Sequence, residues 1–126
     1  MAKADSSELT DPLSKLRDIC LALPETSERL SHGSPSFFIR EKKTFASFHD
    51  NHHHSERVDL WCPAPAGVQE QMVEAEPERF FRPPYVGGRG WLGVYLDDDP
   101  DWDEVSAIIE EAFRHVAPKT VLKQLD

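Results

Sequence analysis

Residues 36–48 read Ser-Phe-Phe-Ile-Arg-Glu-Lys-Lys-Thr-Phe-Ala-Ser-Phe, two short apolar runs separated by charged residues. Aromatic and β-branched residues favour strands, and a short polar segment between two such runs is typical of a hairpin. We therefore expect strands over residues 37–39 and 44–48, with the hairpin tip at residues 41–43.

Further strands are predicted on the carboxyl side of this hairpin. Residues 57–62 alternate, so that Val58, Leu60 and Cys62 share one face while Asp59 and Trp61 share the other. Residues 80–81 and 91–96 are also strand-like, and the glycines at positions 87, 88 and 90 form a turn before the later strand.

Apolar residues at helical spacing predict helices at both ends of the chain. The first covers residues 11–23, begins at a capping residue followed by Pro12, and ends before Pro24. A short helix is expected over residues 66–75, and a long one begins at Asp101 and ends before Pro118. Residues 120–125 favour a short terminal helix.

The order of these elements defines the expected fold. Most connections between strands are too short for parallel crossovers, so the sheet should be antiparallel. Amphipathic helices from both ends of the chain can cover one face, which predicts an α+β two-layer sandwich with the N- and C-terminal helices on that face and the other face partly open. We expect a flexible tail at residues 1–9 and one domain over residues 10–126.

Composition excludes some classes of protein. The 126 residues include 39% apolar and 29% charged residues, which indicates a folded, soluble chain. With 14 Lys+Arg against 23 Asp+Glu, the net charge of -9 argues against broad electrostatic capture of nucleic acid or anionic membrane.

Cellular location is inferred from three absences in the sequence. The amino terminus has no signal-like apolar segment, and no apolar run approaches the length that spans a membrane. Neither Cys20 nor Cys62 belongs to a CxxC or metal-binding pattern, so we expect two reduced, packed thiols. These features predict a cytoplasmic protein, and we expect a monomer.

Several segments, taken in order, give the chain a family resemblance. They are Leu23-Pro24-Glu25, His32-Gly33-Ser34-Pro35-Ser36-Phe37, Lys43-Thr44-Phe45-Ala46, Pro84-Tyr85-Val86-Gly87-Gly88-Arg89-Gly90-Trp91, and the helix start at residues 101–105. Over residues 10–125 the chain resembles the MmcQ/YjbR family of small bacterial proteins. The resemblance implies a CyaY-like (frataxin-like) sandwich and a DNA-binding role through a winged, sheet-based surface, and it supplies no catalytic residues.

The charge distribution suggests where a nucleic acid would bind. Basic residues cluster in the hairpin and around the glycine turn, whereas acidic residues cluster at 97–111. The candidate nucleic-acid-binding residues are Arg40, Lys42, Lys43, Arg82, Tyr85, Arg89 and Trp91. Cations neutralise phosphates and aromatic rings stack on exposed bases, so this set is suited to weak, salt-sensitive DNA binding. The alternative is that these are ordinary solvated turn residues, with Trp91 in the core.

Metal binding is a second hypothesis, with His49, His52, His53 and His54 or the acidic stretch as ligands. Adjacent histidines in a strand alternate sides, and no Cys or spaced carboxylate completes a tetrahedral set. In the acidic stretch, helix capping by Asp101 is favoured over calcium binding, because Glu104 stands where a calcium loop requires glycine. We therefore predict no metal site and no cofactor.

No nucleophile, base and orienting group recur at an informative spacing, so the sequence predicts a non-enzymatic binding protein. Besides nucleic-acid contact and metal binding, a protein-interaction module that uses the open sheet face is a third hypothesis.

Overall fold

The computed structural model describes residues 11–50, 57–97 and 99–125, which form four α-helices and one six-stranded sheet. In chain order the elements are α1 (Pro12–Leu21), β1 (Thr26–Ser31), β2 (Ser34–Ile39), β3 (Lys43–Asp50), β4 (Val58–Cys62), α2 (Val68–Ala75), β5 (Phe80–Phe81), β6 (Leu92–Tyr95), α3 (Trp102–Val116) and α4 (Lys119–Leu125). One turn of 3₁₀ helix, Gly87–Arg89, precedes β6. The predicted tail at residues 1–9 lies outside the described ranges.

The sheet has the strand order β1-β2-β3-β4-β6-β5, and every neighbouring pair is antiparallel. The predicted α+β class and antiparallel sheet are therefore confirmed. In β2 and β3 the register shifts between Phe37 and Phe38, which marks a bulge. Phe45 and Ala46 both belong to the core, as expected where a bulge interrupts the strict alternation of side chains.

One face of the sheet packs against the N- and C-terminal helices, as the sequence predicts. Leu16 and Cys20 of α1 are fully buried in the same cluster as Ile109 and Phe113 of α3. The Phe113 ring meets the Phe45 ring edge-on, with centroids 5.3 Å apart. Such contacts combine burial of apolar area with a favourable aromatic geometry and so hold α3 on the middle of the sheet.

Polar side chains satisfy backbone groups where α3 begins and where α1 ends. Asp101 Oδ1 accepts hydrogen bonds from the backbone N–H groups of Asp103 at 3.0 Å and Glu104 at 3.4 Å, which confirms the predicted cap of α3. Where α1 ends, the Thr26 hydroxyl lies 3.0 Å from the carbonyl oxygen of Cys20 and 2.9 Å from that of Leu23. These contacts satisfy carbonyl groups that a helix end leaves without partners.

The second sheet face is less open than the sequence predicts. Phe38, His49, Asp59 and Trp61 point to it, and each is less than a tenth exposed. Side chains lie flat over this face: the His49 ring stacks on Trp61 with centroids 3.7 Å apart, and the Arg29 guanidinium lies 3.7 Å from the centroid of Phe38. The expectation of a partly open face is therefore wrong for the centre of the sheet.

Candidate nucleic-acid interface

The hairpin and the glycine turn lie at the same end of the sheet. The hairpin turn joins the end of β2 to the start of β3, and β4 runs antiparallel to both β3 and β6. Cys62, the last residue of β4, pairs with Leu92, the first residue of β6, so the chain enters β6 at the end where the hairpin projects. We call this end, comprising residues 40–43 and 82–91, the turn end. Only β4 separates β3 from β6, so these two strands lie about 10 Å apart in the sheet.

Arg40 begins the hairpin turn but is engaged by an acid. Its Nε lies 2.7 Å and its Nη2 lies 3.3 Å from the two carboxylate oxygens of Glu25, and its backbone N–H donates to the carbonyl of Glu25 at 2.8 Å. Gln124 of α4 also donates to this carboxylate. The hydrogen bond from Arg40, followed by that from Gln124, lowers the pKa of Glu25, and the guanidinium of Arg40 is paired with that carboxylate.

Lys42 and Lys43 complete the hairpin turn. Residues Arg40 and Glu41 adopt positive φ angles of 52° and 60°, and the N–H of Lys42 donates to the carbonyl of Ile39 at 3.0 Å. Both lysines are exposed, and neither has a carboxylate partner within the described ranges. Their charges therefore face solvent.

A buried side chain of α2 donates hydrogen bonds to the backbone of the glycine turn. The Gln69 amide, 3% exposed, donates from Nε2 to the carbonyl of Gly87 at 2.9 Å and to that of Trp91 at 2.5 Å. Amide groups buried in this way fix the backbone that they bind, because losing either bond leaves a buried polar group unsatisfied. Sequence reasoning missed Gln69, since no local pattern distinguishes it from other glutamines on a helix.

Arg82, Tyr85, Arg89 and Trp91 surround this turn. A Cβ at Gly87 would lie 2.6 Å from Cγ of Arg82, so the stem of that arginine runs directly over the glycine. Tyr85 is 74% exposed at φ 66°, and the Arg89 guanidinium lies 5.7 Å from the ring centroid of Trp91, which is half-buried. Neither Arg82 nor Arg89 has a carboxylate partner in the part of the chain that the structure describes.

The seven predicted residues are thus at one end of the molecule but are not equivalent. Lys42, Lys43, Arg82 and Arg89 present exposed cations, and Tyr85 presents an exposed ring. Arg40 differs because Glu25 binds it, and Trp91 differs because half of it is covered.

Acidic residues occupy the other end of the sheet, where β6 leads into α3. Arg79 is engaged there by Glu76 at 2.7 Å and by Glu104, and Asp97 binds Arg57 at 2.7 Å. We call residues 76–79, 97 and 99–104 the acidic end. Charge is therefore segregated along the strand direction: Arg57 and Arg79 are paired at the acidic end, whereas the turn end presents four exposed cations beside one exposed acid, Glu41.

His49 is the only described member of the histidine group that the sequence singles out, because His52, His53 and His54 fall outside the described residues. Its Nδ1 lies 3.2 Å from the Ser34 hydroxyl and its Nε2 lies 2.9 Å from the Ser47 hydroxyl. A pocket of about 270 Å³ lies beside this histidine, between Ser34 and Asp50. Within the described residues there is no group of three or more His, Cys, Asp and Glu side chains that suits a metal ion.

The two cysteines are free and buried, as the sequence predicts. Burial disfavours the charged thiolate, so it raises the pKa of the Cys20 thiol and raises that of Cys62 to about 12. Both thiols are consequently protonated and unreactive at neutral pH. Among the described helices, none combines the length and apolar character needed to span a bilayer.

The fold and the turn end together define a small α+β protein with one cationic, aromatic end. Comparison with known proteins identifies its family: the YjbR family model matches residues 21–115, and the chain belongs to that family. The fold is similar to that in the crystal structure of Deinococcus radiodurans protein DR2400, which carries the family-model domain DUF419. The two chains are 16% identical with a TM-score of 0.72, over 88% of this chain and 82% of that one. No curated protein matches.

Proposed function

We propose that this YjbR-family protein is a non-enzymatic binding protein that contacts single-stranded nucleic acid at its turn end. The observation that carries the proposal is that one end of the sheet presents an exposed ring, that of Tyr85, together with four exposed cations: Lys42, Lys43, Arg82 and Arg89. Single strands present both phosphates and unstacked bases, and this combination of side chains is suited to both.

The charge balance limits the strength of this contact. Four phosphates neutralised by four cations correspond to a slope of about -3 for log K against log salt on a single strand. The net charge of -9 opposes the approach of a polyanion to the rest of the molecule. We therefore expect weak binding that is measurable at low salt and lost near physiological ionic strength.

Charge reversal at the turn end tests the proposal. A fluorescein-labelled oligothymidylate is titrated with the protein at low salt, and anisotropy reports binding. The triple variant Lys42→Glu, Lys43→Glu, Arg89→Glu should abolish binding. A matched pair of single variants compares Lys42→Glu with Lys15→Glu, since Lys15 lies over Trp102 near the acidic end. Both change the net charge by the same amount.

Only the turn-end variant should weaken binding. The proposal fails if the wild-type protein does not bind at low salt, if added salt does not weaken binding, or if Lys15→Glu has the same effect as Lys42→Glu. Circular dichroism of each variant separates loss of binding from loss of fold.

We also propose that the protein acts in the cytoplasm as a monomer, as the sequence predicts. Two buried thiols without a disulfide agree with a reducing compartment. Light scattering coupled to size-exclusion chromatography tests the monomer, and a stable dimer would contradict it. Calorimetric titration with Zn²⁺, Fe²⁺ and Ca²⁺ tests the alternative of metal binding, and heat at tens of micromolar would favour it.

A further inference from the structure

Helices α2 and α3 leave an apolar groove of about 200 Å³ between them, on the helical side of the molecule. Val68 and Met72 line it from α2, Ala107 and Ile108 line it from α3, and the buried side chains of Pro63 and Leu92 form its floor. Val68, Met72 and Ile108 are only half-buried, so apolar area on both walls remains accessible. We call this feature the α2–α3 groove.

The described charged residues that line the α2–α3 groove are both acidic, Glu104 and Glu111. Glu104, Ile108 and Glu111 recur at i, i+4 and i+7 and therefore share one side of α3, with the two carboxylates about 10 Å apart along the axis. Glu104 is bound by Arg79, but Glu111 is exposed and has no ion-pair partner within the described ranges. Among the described residues that line the groove there is no lysine or arginine.

We propose that the α2–α3 groove binds a basic amphipathic segment of a partner protein. An apolar side chain of that segment enters between Met72 and Ile108, and a flanking lysine or arginine pairs with Glu111. Helix grooves commonly take apolar anchors in this way, and complementary charge at the rim selects the partner.

A second copy of this chain does not satisfy the same chemistry. In a two-fold dimer each copy presents the same patch, and since none of its described lining residues is a lysine or arginine, Glu111 would meet no cation across the interface. The net charge of -9 also disfavours the association of two copies. A basic partner segment is therefore the occupant that the groove favours.

A defined peptide tests this inference without knowledge of the natural partner. The probe is a fluorescein-labelled amphipathic peptide of leucine and lysine, and its control has glutamate in place of every lysine. Two variants change the groove at exposed positions: Ala107→Arg, which places a long cation over it, and Glu111→Lys, which reverses the rim charge. The matched control Asp18→Lys makes the same charge reversal at an exposed position of α1.

We expect the lysine peptide to bind and the glutamate peptide not to bind. Ala107→Arg and Glu111→Lys should each raise Kd at least tenfold, whereas Asp18→Lys should change it less than twofold. The inference is overturned if the lysine peptide does not bind, if the glutamate peptide binds equally well, or if Asp18→Lys weakens binding as much as Glu111→Lys. It is also overturned if sedimentation shows a dimer that Ala107→Arg dissociates, because a second copy would then occupy the groove.

Discussion

The indole N–H of Trp61 donates to Oδ1 of Asp59 at 2.8 Å, and both side chains lie buried on the second face of the sheet. Asp59 is also the cross-strand partner of His49, whose ring stacks on Trp61. Burial is the main cause that raises the pKa of Asp59 from 3.8 to about 7, and the bond from Trp61 opposes this shift. A carboxyl group in the middle of the sheet is therefore protonated through much of the acidic range.

Replacing Asp59 by Asn should stabilise the protein at pH 8. The native protein keeps the Asp59 proton up to about pH 7, whereas the unfolded chain releases it near 3.8, so wild-type stability falls as pH rises through this window. The change in pKa corresponds to a free-energy cost of the order of 4 kcal/mol above pH 7. Asn keeps a side-chain oxygen that can accept the hydrogen bond from Trp61, and it has no ionisable group to deprotonate.

Urea denaturation at pH 5 and pH 8 measures the effect. The stability difference between Asp59→Asn and the wild type should grow towards pH 8, while Asp18→Asn, at an exposed position, should show no comparable trend. An equal difference at both pH values would show that Asp59 is ionised throughout.

Gly93→Ala should destabilise the protein by about 1–3 kcal/mol, because it overfills a packed site. The Phe81 ring lies across Gly93, and a Cβ there would come within 2.4–2.5 Å of three ring carbons. The matched control is Gly88→Ala, whose Cβ would meet nothing closer than Arg82 Nη2 at 3.8 Å. Thermal or urea denaturation measures the stability of both variants. Equal stability of the two would contradict the close packing of Phe81 against Gly93.

Glu25→Gln should strengthen binding of single-stranded DNA several-fold at low salt. The change removes a negative charge from beside the turn end and releases Arg40 from its ion pair. By the same reasoning, Arg40→Gln in the wild-type background should weaken binding less than Lys42→Gln does. Anisotropy titrations of the three variants check this order, and a larger loss for Arg40→Gln would show that the arginine contacts the strand despite Glu25.

Tyr85→Ala should weaken single-strand binding roughly 5- to 150-fold, the effect of losing one stacked base, at about 1–3 kcal/mol. Leu30→Ala on β1 is the control, since Leu30 is 70% exposed and Tyr85 is 74% exposed. Duplex DNA should be less sensitive to Tyr85→Ala because its bases are already stacked. An unchanged affinity for single strands would leave Tyr85 outside the interface.

The sequence predicts the apolar strands and the two long helices because their patterns are local. Strand β1, in contrast, was not predicted. Its residues Thr-Ser-Glu-Arg-Leu-Ser lack apolar alternation, and its position depends on distant partners. The Arg17 guanidinium holds Glu28 with bonds of 2.6 and 2.8 Å, and six residues of β1 pair with β2. Such edge strands are stabilised by tertiary contacts rather than by their own pattern.

The candidate site likewise has some features that are local in the sequence and others that depend on tertiary structure. Exposed lysines in a hairpin and arginines around glycines can be recognised in the sequence, but whether two turns share one end depends on strand order. The pairing of Arg40 with Glu25 is also invisible, because 15 positions separate the two residues. The strand order and the ion pair of Arg40 with Glu25 determine which cations are accessible, and both are known only from the three-dimensional structure.

The segregation of charge among the described residues gives the molecule a dipole along the strands in addition to its net negative charge. In the field of any polyanion its net charge of -9 produces repulsion, but the dipole also produces a torque. That torque turns the four exposed cations towards the polyanion and the carboxylates near Asp97 and Glu104 away from it. The protein would therefore approach a phosphate backbone with the turn end leading and the acidic end trailing.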